Sequence, residues 1–141
     1  MEKGFYHASR GYWQTLSTPP AAILSTYPAG TVEVPLMPSA GKMWNGSAWV
    51  DDPDYPAAAL AAERAQMVVS RFQAKAALAA AGLLTQAQTV VDAAPAATQL
   101  AWSDVIEFRR NSPTIAELKT AMSLTDTQMD DLFRAAAVIE A

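Results

Sequence analysis

Residues 42–56 read KMWNGSAWVDDPDYP and mark the point where the chain changes character. Two short apolar runs flank Asn45-Gly46, the residue pair that most favours a two-residue type I′ turn. The sequence therefore predicts a β-hairpin over residues 43–50. The polar, proline-containing residues that follow are typical of a linker, which we place at residues 53–56.

The residues before this hairpin also favour strands and turns. Seven of the nine prolines and three of the four tryptophans lie at or before residue 56. A second hairpin is predicted around Gly11, and the alternating residues 31–34 predict a short strand. One helical turn is predicted over residues 21–24. We therefore expect a small antiparallel β-hairpin module over residues 1–52.

The chain after the linker is rich in alanine and predicts helices over residues 57–141. The first is a long helix over about 57–81 that ends before Gly82. At roughly 1.5 Å per residue it would be nearly 40 Å long, which suggests a spine or a surface for homo-oligomer formation. Three or four short helices follow, over residues 85–91, 96–110, and after the caps Ser112-Pro113 and Thr125-x-x-Gln128.

The fold class expected from this pattern is α+β. It consists of the small N-terminal antiparallel β module, the long helix and a small C-terminal helical bundle. The 141 residues include 51% hydrophobic and 17% charged residues, which favours a globular chain over a disordered one.

Charge and composition argue against several classes of partner. The net charge is −4, and residues 51–141 hold twelve acidic against seven basic side chains, so a nucleic-acid partner is not expected. No cationic and apolar leader opens the chain, and no run of residues is long and apolar enough to span a bilayer, so we expect no membrane partner either.

The sequence contains no recognisable catalytic apparatus. His7 is the only histidine and there is no cysteine, so we expect no metal site and no cofactor. Asp51, Asp52 and Asp54 do not match a calcium loop, because Pro53 interrupts them and the Gly-x5-Glu of that loop is absent. Phosphate loops and nucleophile elbows are also absent, and we predict that the chain is not an enzyme.

Aromatic side chains are the candidate binding residues. The N-terminal module is too small to bury all of its rings, and Trp and Tyr are enriched at binding hot spots. The partner-binding candidates are Tyr6, Tyr12, Trp13, Trp44 and Trp49. Cross-strand pairing in the hairpins, a protein interface and a carbohydrate platform would all use the same residues, and the sequence leaves these alternatives open.

Several segments resemble small proteins encoded beside tail fibres in tailed phages. The N-terminal segments are residues 11–14 (GYWQ), 27–35 (YPAGTVEVP) and 44–50 (WNGSAWV), and they are similar to the tail fibre assembly group. The later part of the chain resembles a helical tail that is common on phage and prophage tail proteins. The segments that show this resemblance are residues 71–78 (RFQAKAAL), 101–104 (AWSD), 107–114 (EFRRNSPT) and 124–133 (LTDTQMDDLF).

The resemblance implies a non-enzymatic tail accessory protein. It would bind a tail fibre or other tail protein and assist its assembly or cap it, in the host bacterial cytoplasm, with or without retention in the virion tail. The alternatives are a structural virion subunit of the baseplate or tail tip, and a host-surface carbohydrate-binding module.

Overall fold

The computed structural model describes all 141 residues, which form two compact units, Met1–Ala58 and Ala59–Ala141. Helices account for 46% of the chain and strands for 18%, and all the sheets are small and antiparallel. The mixed fold with strands at the N-terminus is therefore confirmed. The predictions of one long helix and of a C-terminal region made only of helices are wrong.

The N-terminal unit is built on a three-stranded sheet. Strands β1 (Lys3–His7), β2 (Gly11–Thr15) and β3 (Val32–Val34) lie in the order β2-β1-β3, so β1 is the central strand. The hairpin predicted around Gly11 is confirmed. The predicted helical turn is also present, as α1 (Ala21–Leu24).

The second hairpin forms where the sequence predicts it, but its turn is not type I′. Strands β4 (Lys42–Trp44) and β5 (Trp49–Asp51) pair with Trp44 opposite Trp49, which leaves a four-residue loop. Gly46 alone in this loop has a positive φ, +103°, whereas type I′ requires one at Asn45 as well. The side-chain oxygen of Asn45 instead accepts the backbone N–H groups of Ser47 and Ala48, at 2.9 Å each.

The long helix predicted over residues 57–81 is interrupted by a strand. Helix α2 (Tyr55–Gln66) ends before β6 (Val68–Ser70), and α3 (Arg71–Ala80) then begins. β-branched Val69 is buried opposite Phe108, so its burial in a strand outweighs the helical spacing around it. Ser70 caps α3 through a reciprocal capping box with Gln73. The continuous helix proposed for homo-oligomer formation is therefore absent, although the predicted stop at Gly82 is confirmed.

The helix predicted over residues 96–110 also ends early. Helix α5 (Ala96–Asp104) stops before an extended Val105, and β7 (Glu107–Arg109) pairs with β6. Arg109 and Arg110 are the last residues of that predicted helix. Arg109 instead ends strand β7, and Arg110 follows it. Arg110 is buried, at 6% exposure.

The remaining helices follow the predicted caps. They are α4 (Leu84–Asp92), α6 (Pro113–Ala121) after Ser112, and α7 (Asp126–Ala137), whose N-terminus has the predicted capping box. The core of the C-terminal unit consists of apolar side chains from β6, β7 and helices α3 to α7, including Ala87, Val91, Trp102, Phe108, Ile115, Leu118, Met129 and Phe133.

No helix of the protein combines the length and the apolar character that crossing a bilayer requires.

Candidate functional site

All five predicted partner-binding side chains are half-buried, so none is sealed in a core and none is fully free. They do not form one continuous surface. Residues directly opposite each other in an antiparallel pair point to the same face, and successive residues alternate between faces. Phe5 is opposite Trp13, and Tyr6 is opposite Tyr12, so Trp13 lies on one face of the sheet and Tyr6 and Tyr12 on the other.

The first face holds a cluster of Phe5, Trp13 and Tyr27. The ring centroids of Phe5 and Trp13 are 5.9 Å apart, and Tyr27 meets each ring edge-on at 5.2 Å. The guanidinium of Arg10 lies 4.2 Å from the Trp13 ring, in cation–π geometry. The indole Nε1 of Trp13 is buried without an acceptor. This face is thus largely closed, with Arg10 over the indole.

The second face holds the cluster that we call the Tyr12 cluster, formed by Tyr12, Trp44 and Trp49. Trp49 meets Tyr12 edge-on at 5.0 Å and Trp44 at 5.4 Å. The indole of Trp49 donates to the Pro35 carbonyl at 2.9 Å, and the Met37 backbone N–H donates to the Tyr12 hydroxyl at 3.2 Å. These bonds hold the rings of Trp49 and Tyr12, and part of each of the three rings is exposed.

Gly4 allows the Tyr12 ring to lie close to the sheet. A Cβ at this position would lie 2.8 Å from the Val34 carbonyl oxygen and 3.0 Å from Cε2 of Tyr12. No side chain fits at that distance, so the close approach of Tyr12 requires glycine. Tyr6 makes no aromatic pair and lies opposite Val32, which is 47% exposed.

Strand β2 is an open edge of the sheet. It hydrogen-bonds to β1 on one side only, and no strand of the chain pairs with its other side. Tyr12 and Trp13 lie on this strand and point to opposite faces. The unpaired side of this five-residue strand can therefore receive an incoming strand, with one aromatic ring on each face of the sheet beside it.

His7 has a structural environment. Its Nδ1 accepts the Ser9 backbone N–H at 3.3 Å, so Nε2 has the proton, and this nitrogen lies 3.1 Å from the Ala29 carbonyl oxygen that accepts it. The ring therefore ties the first hairpin to the loop before β3. No group of three or more His, Asp or Glu side chains is arranged to hold a metal ion.

The C-terminal unit contains a buried ion-pair cluster that is not among the residues predicted above. Arg64 binds both carboxylate oxygens of Asp130, at 3.0 and 2.7 Å, and Arg110 donates Nε–H to the same carboxylate at 2.6 Å. Burial raises the pKa of Asp130, but the hydrogen bonds from Arg64 and Arg110 outweigh it, so the pKa is lowered. Hydrogen bonds from Lys119 and Arg110 lower the pKa of Asp126 to about 2.

This cluster is saturated by its own members and has no free group for chemistry. Helix α7 has three aspartates, Asp126, Asp130 and Asp131, and only Asp130 is buried. One signal in the sequence distinguishes it. Asp130 falls at helical spacing among the apolar residues Met129 and Phe133, on the face of α7 that enters the core.

Comparisons of the chain with known protein families, with curated proteins and with solved structures found no match.

Proposed function

We propose that this chain is a non-enzymatic accessory protein of tailed-phage tails, and that its N-terminal unit binds a tail fibre or another tail protein. The observation that supports this proposal is the open edge of β2, with the Tyr12 cluster on one face and Trp13 with Arg10 on the other. The site has the properties of a binding surface.

An open edge of this kind suits β-strand addition. In that mode, backbone hydrogen bonds supply affinity, and side chains that alternate between the two faces supply specificity. A strand added beside β2 would place alternate side chains against the Tyr12 cluster and against Trp13. Since Trp49 and Tyr12 are held by hydrogen bonds to Pro35 and Met37, these two side chains lose little entropy on binding.

The support for a tail partner is the resemblance of the quoted segments to proteins encoded beside tail fibres. An unassembled fibre exposes strand edges that mispair readily, and a protein that covers one edge would prevent this. The accessory protein would thus act on the fibre before or during assembly, or remain as a cap on it.

Co-purification with the fibre protein encoded by the neighbouring gene tests the proposal. We expect a complex and a larger soluble fraction of fibre. Hydrogen exchange of the complex should show new protection of the amides of β2, whereas those of β1, already paired on both sides, should change little. The proposal would be refuted if no complex formed and the solubility of the fibre did not change. A complex in which the β2 amides stay unprotected would refute β2 as the docking edge.

Mass spectrometry of purified virions separates assembly from retention. A departing assembly factor would be absent at stoichiometric level, whereas a cap or a structural subunit of the tail would be present. Both results are compatible with binding through β2.

A further inference from the structure

We propose that the C-terminal unit has a groove that accepts a lysine or arginine side chain of a partner protein. The groove has a volume of about 330 Å³ and lies between the loop joining α4 to α5 and helix α6. Six of its lining side chains are apolar, and half of these six are alanines. The apolar residues are Val90, Ala93, Ala94, Pro95, Leu118 and Ala121. The remaining two are Thr98 and Glu117.

The carboxylate of Glu117 is held in place at this groove. The hydroxyl of Thr98 donates to Oε2 of Glu117 at 2.7 Å, and Thr98 itself is only 6% exposed. A buried hydroxyl that fixes one carboxylate oxygen leaves Oε1 free to accept another donor. The charged group is therefore pre-oriented, which reduces the entropy lost when a ligand binds.

Glu117 has no cationic partner within the chain. The unit Ala59–Ala141 has nine acidic and seven basic residues, and each basic residue is already engaged. Five of them pair with carboxylates: Arg64, Arg109, Arg110, Lys119 and Arg134. Lys75 lies 5.1 Å from the Trp102 ring, and Arg71 donates to the Ser103 carbonyl.

The groove matches the chemistry of a basic side chain. Lysine and arginine place an alkyl stem on apolar surface and keep the charged head at a polar rim. The alanine-rich walls suit the stem, and the free oxygen of Glu117 suits the ammonium or guanidinium, with a charge-assisted hydrogen bond. The groove does not involve β2, so this inference stands or fails independently of the proposed function.

Titration of the ¹⁵N-labelled full chain with blocked tripeptides tests the groove. The probes are acetylated and amidated Gly-Lys-Gly and Gly-Arg-Gly, with Gly-norleucine-Gly as the uncharged control. We expect saturable shifts of the amides of residues 90–98 and 116–121 with the basic probes, and weaker binding of the norleucine probe. Equal affinity for all three probes would overturn the inference.

Two variants test the role of the carboxylate. Glu117→Gln keeps the shape and removes the charge, and should weaken binding of the basic probes about tenfold. The matched control Glu140→Gln makes the same change at an exposed carboxylate outside the groove and should leave binding unchanged. The indole resonance of Trp102 reports whether each variant is folded. Unchanged binding by Glu117→Gln would contradict the proposal.

A free amine would be a different ligand. Spermidine provides ammonium groups on alkyl stems without a peptide backbone. If spermidine binds the groove and the blocked lysine peptide does not, the inferred protein partner is wrong.

Discussion

Asp130 and Arg110 form a buried ion pair, with Nε of Arg110 2.6 Å from Oδ1 of Asp130. The side chain of Asp130 is 3% exposed and that of Arg110 is 7% exposed. Arg64 binds the same carboxylate from helix α2. One carboxylate therefore binds two guanidinium groups that belong to segments far apart in sequence, and Asp126 gives Arg110 a second counter-ion at 3.0 Å. Asp130 is the one acidic side chain buried in the C-terminal unit.

Removal of that charge should destabilise the C-terminal unit. We expect Asp130→Asn to lower its free energy of unfolding by about 3 kcal/mol, because Arg64 would lose its counter-ion and Arg110 would keep only the half-exposed Asp126. Urea unfolding followed through the Trp102 indole resonance measures the loss. The neighbouring Asp131, whose side chain is 66% exposed, gives the matched control Asp131→Asn, which should have little effect. Equal losses for the two variants would contradict the structure.

The C-terminal unit should lose stability in acid. The pKa of Asp126 is lowered from 3.8 to about 2, and that of Asp130 is also lowered. The hydrogen bond from Arg134 lowers the pKa of Glu63 on helix α2. A carboxylate with a lowered folded-state pKa contributes stability that is fully present above its unfolded-state pKa. That contribution is lost as the pH falls through the folded-state value.

We therefore expect the free energy of unfolding to fall from about pH 4 to about pH 2. Urea titrations across this range measure the slope. Asp126→Asn should flatten the slope, because its carboxylate no longer takes up a proton on unfolding. A slope that Asp126→Asn leaves unchanged would show that other groups dominate.

The two indoles Trp49 and Trp13 should respond differently to the same substitution. The N–H of Trp49 donates to Pro35, whereas that of Trp13 is buried without an acceptor. Trp49→Phe loses one intramolecular hydrogen bond, while Trp13→Phe removes a buried donor that has no acceptor. We expect Trp49→Phe to be more destabilising by about 1 kcal/mol, measured by chemical denaturation. The reverse order would refute the hydrogen-bond assignment.

Gly4→Ala should strain the N-terminal sheet. The added Cβ would meet the backbone of Val34 and the ring of Tyr12, and backbone cannot move away cheaply. We expect a loss of about 1–3 kcal/mol and a shifted Tyr12 ring resonance. Unchanged stability and an unchanged Tyr12 signal would show that the ring is not held as close as the structure places it.

The sequence predicts features that depend on adjacent residues. Both hairpins, the stop at Gly82 and the caps at Ser112 and Thr125 have local causes, and all are confirmed. The break in the long helix has a non-local cause, since Val69 pairs with Phe108, which is 39 positions further along the chain. Helical spacing across residues 57–81 concealed it, although Val68-Val69 followed by the Ser70-x-x-Gln73 capping box is a sequence signal for a break.

The candidate site was predictable in its residue types but not in its arrangement. The five aromatic residues are those that the hairpins bring to the sheet, and their alternation along β2 places Trp13 apart from Tyr12. That division depends on strand register, which the turn sequences did not fix. Asp130 could not be separated from Asp131 by charge alone, because burial is decided by where α7 meets Arg64 and Arg110.

The unpaired side of β2 has a consequence for the protein when it is alone. A strand edge that can receive a foreign strand can equally receive the same edge of a second molecule, and this side reaction grows with concentration. Storage at high concentration would then produce sheet-linked dimers.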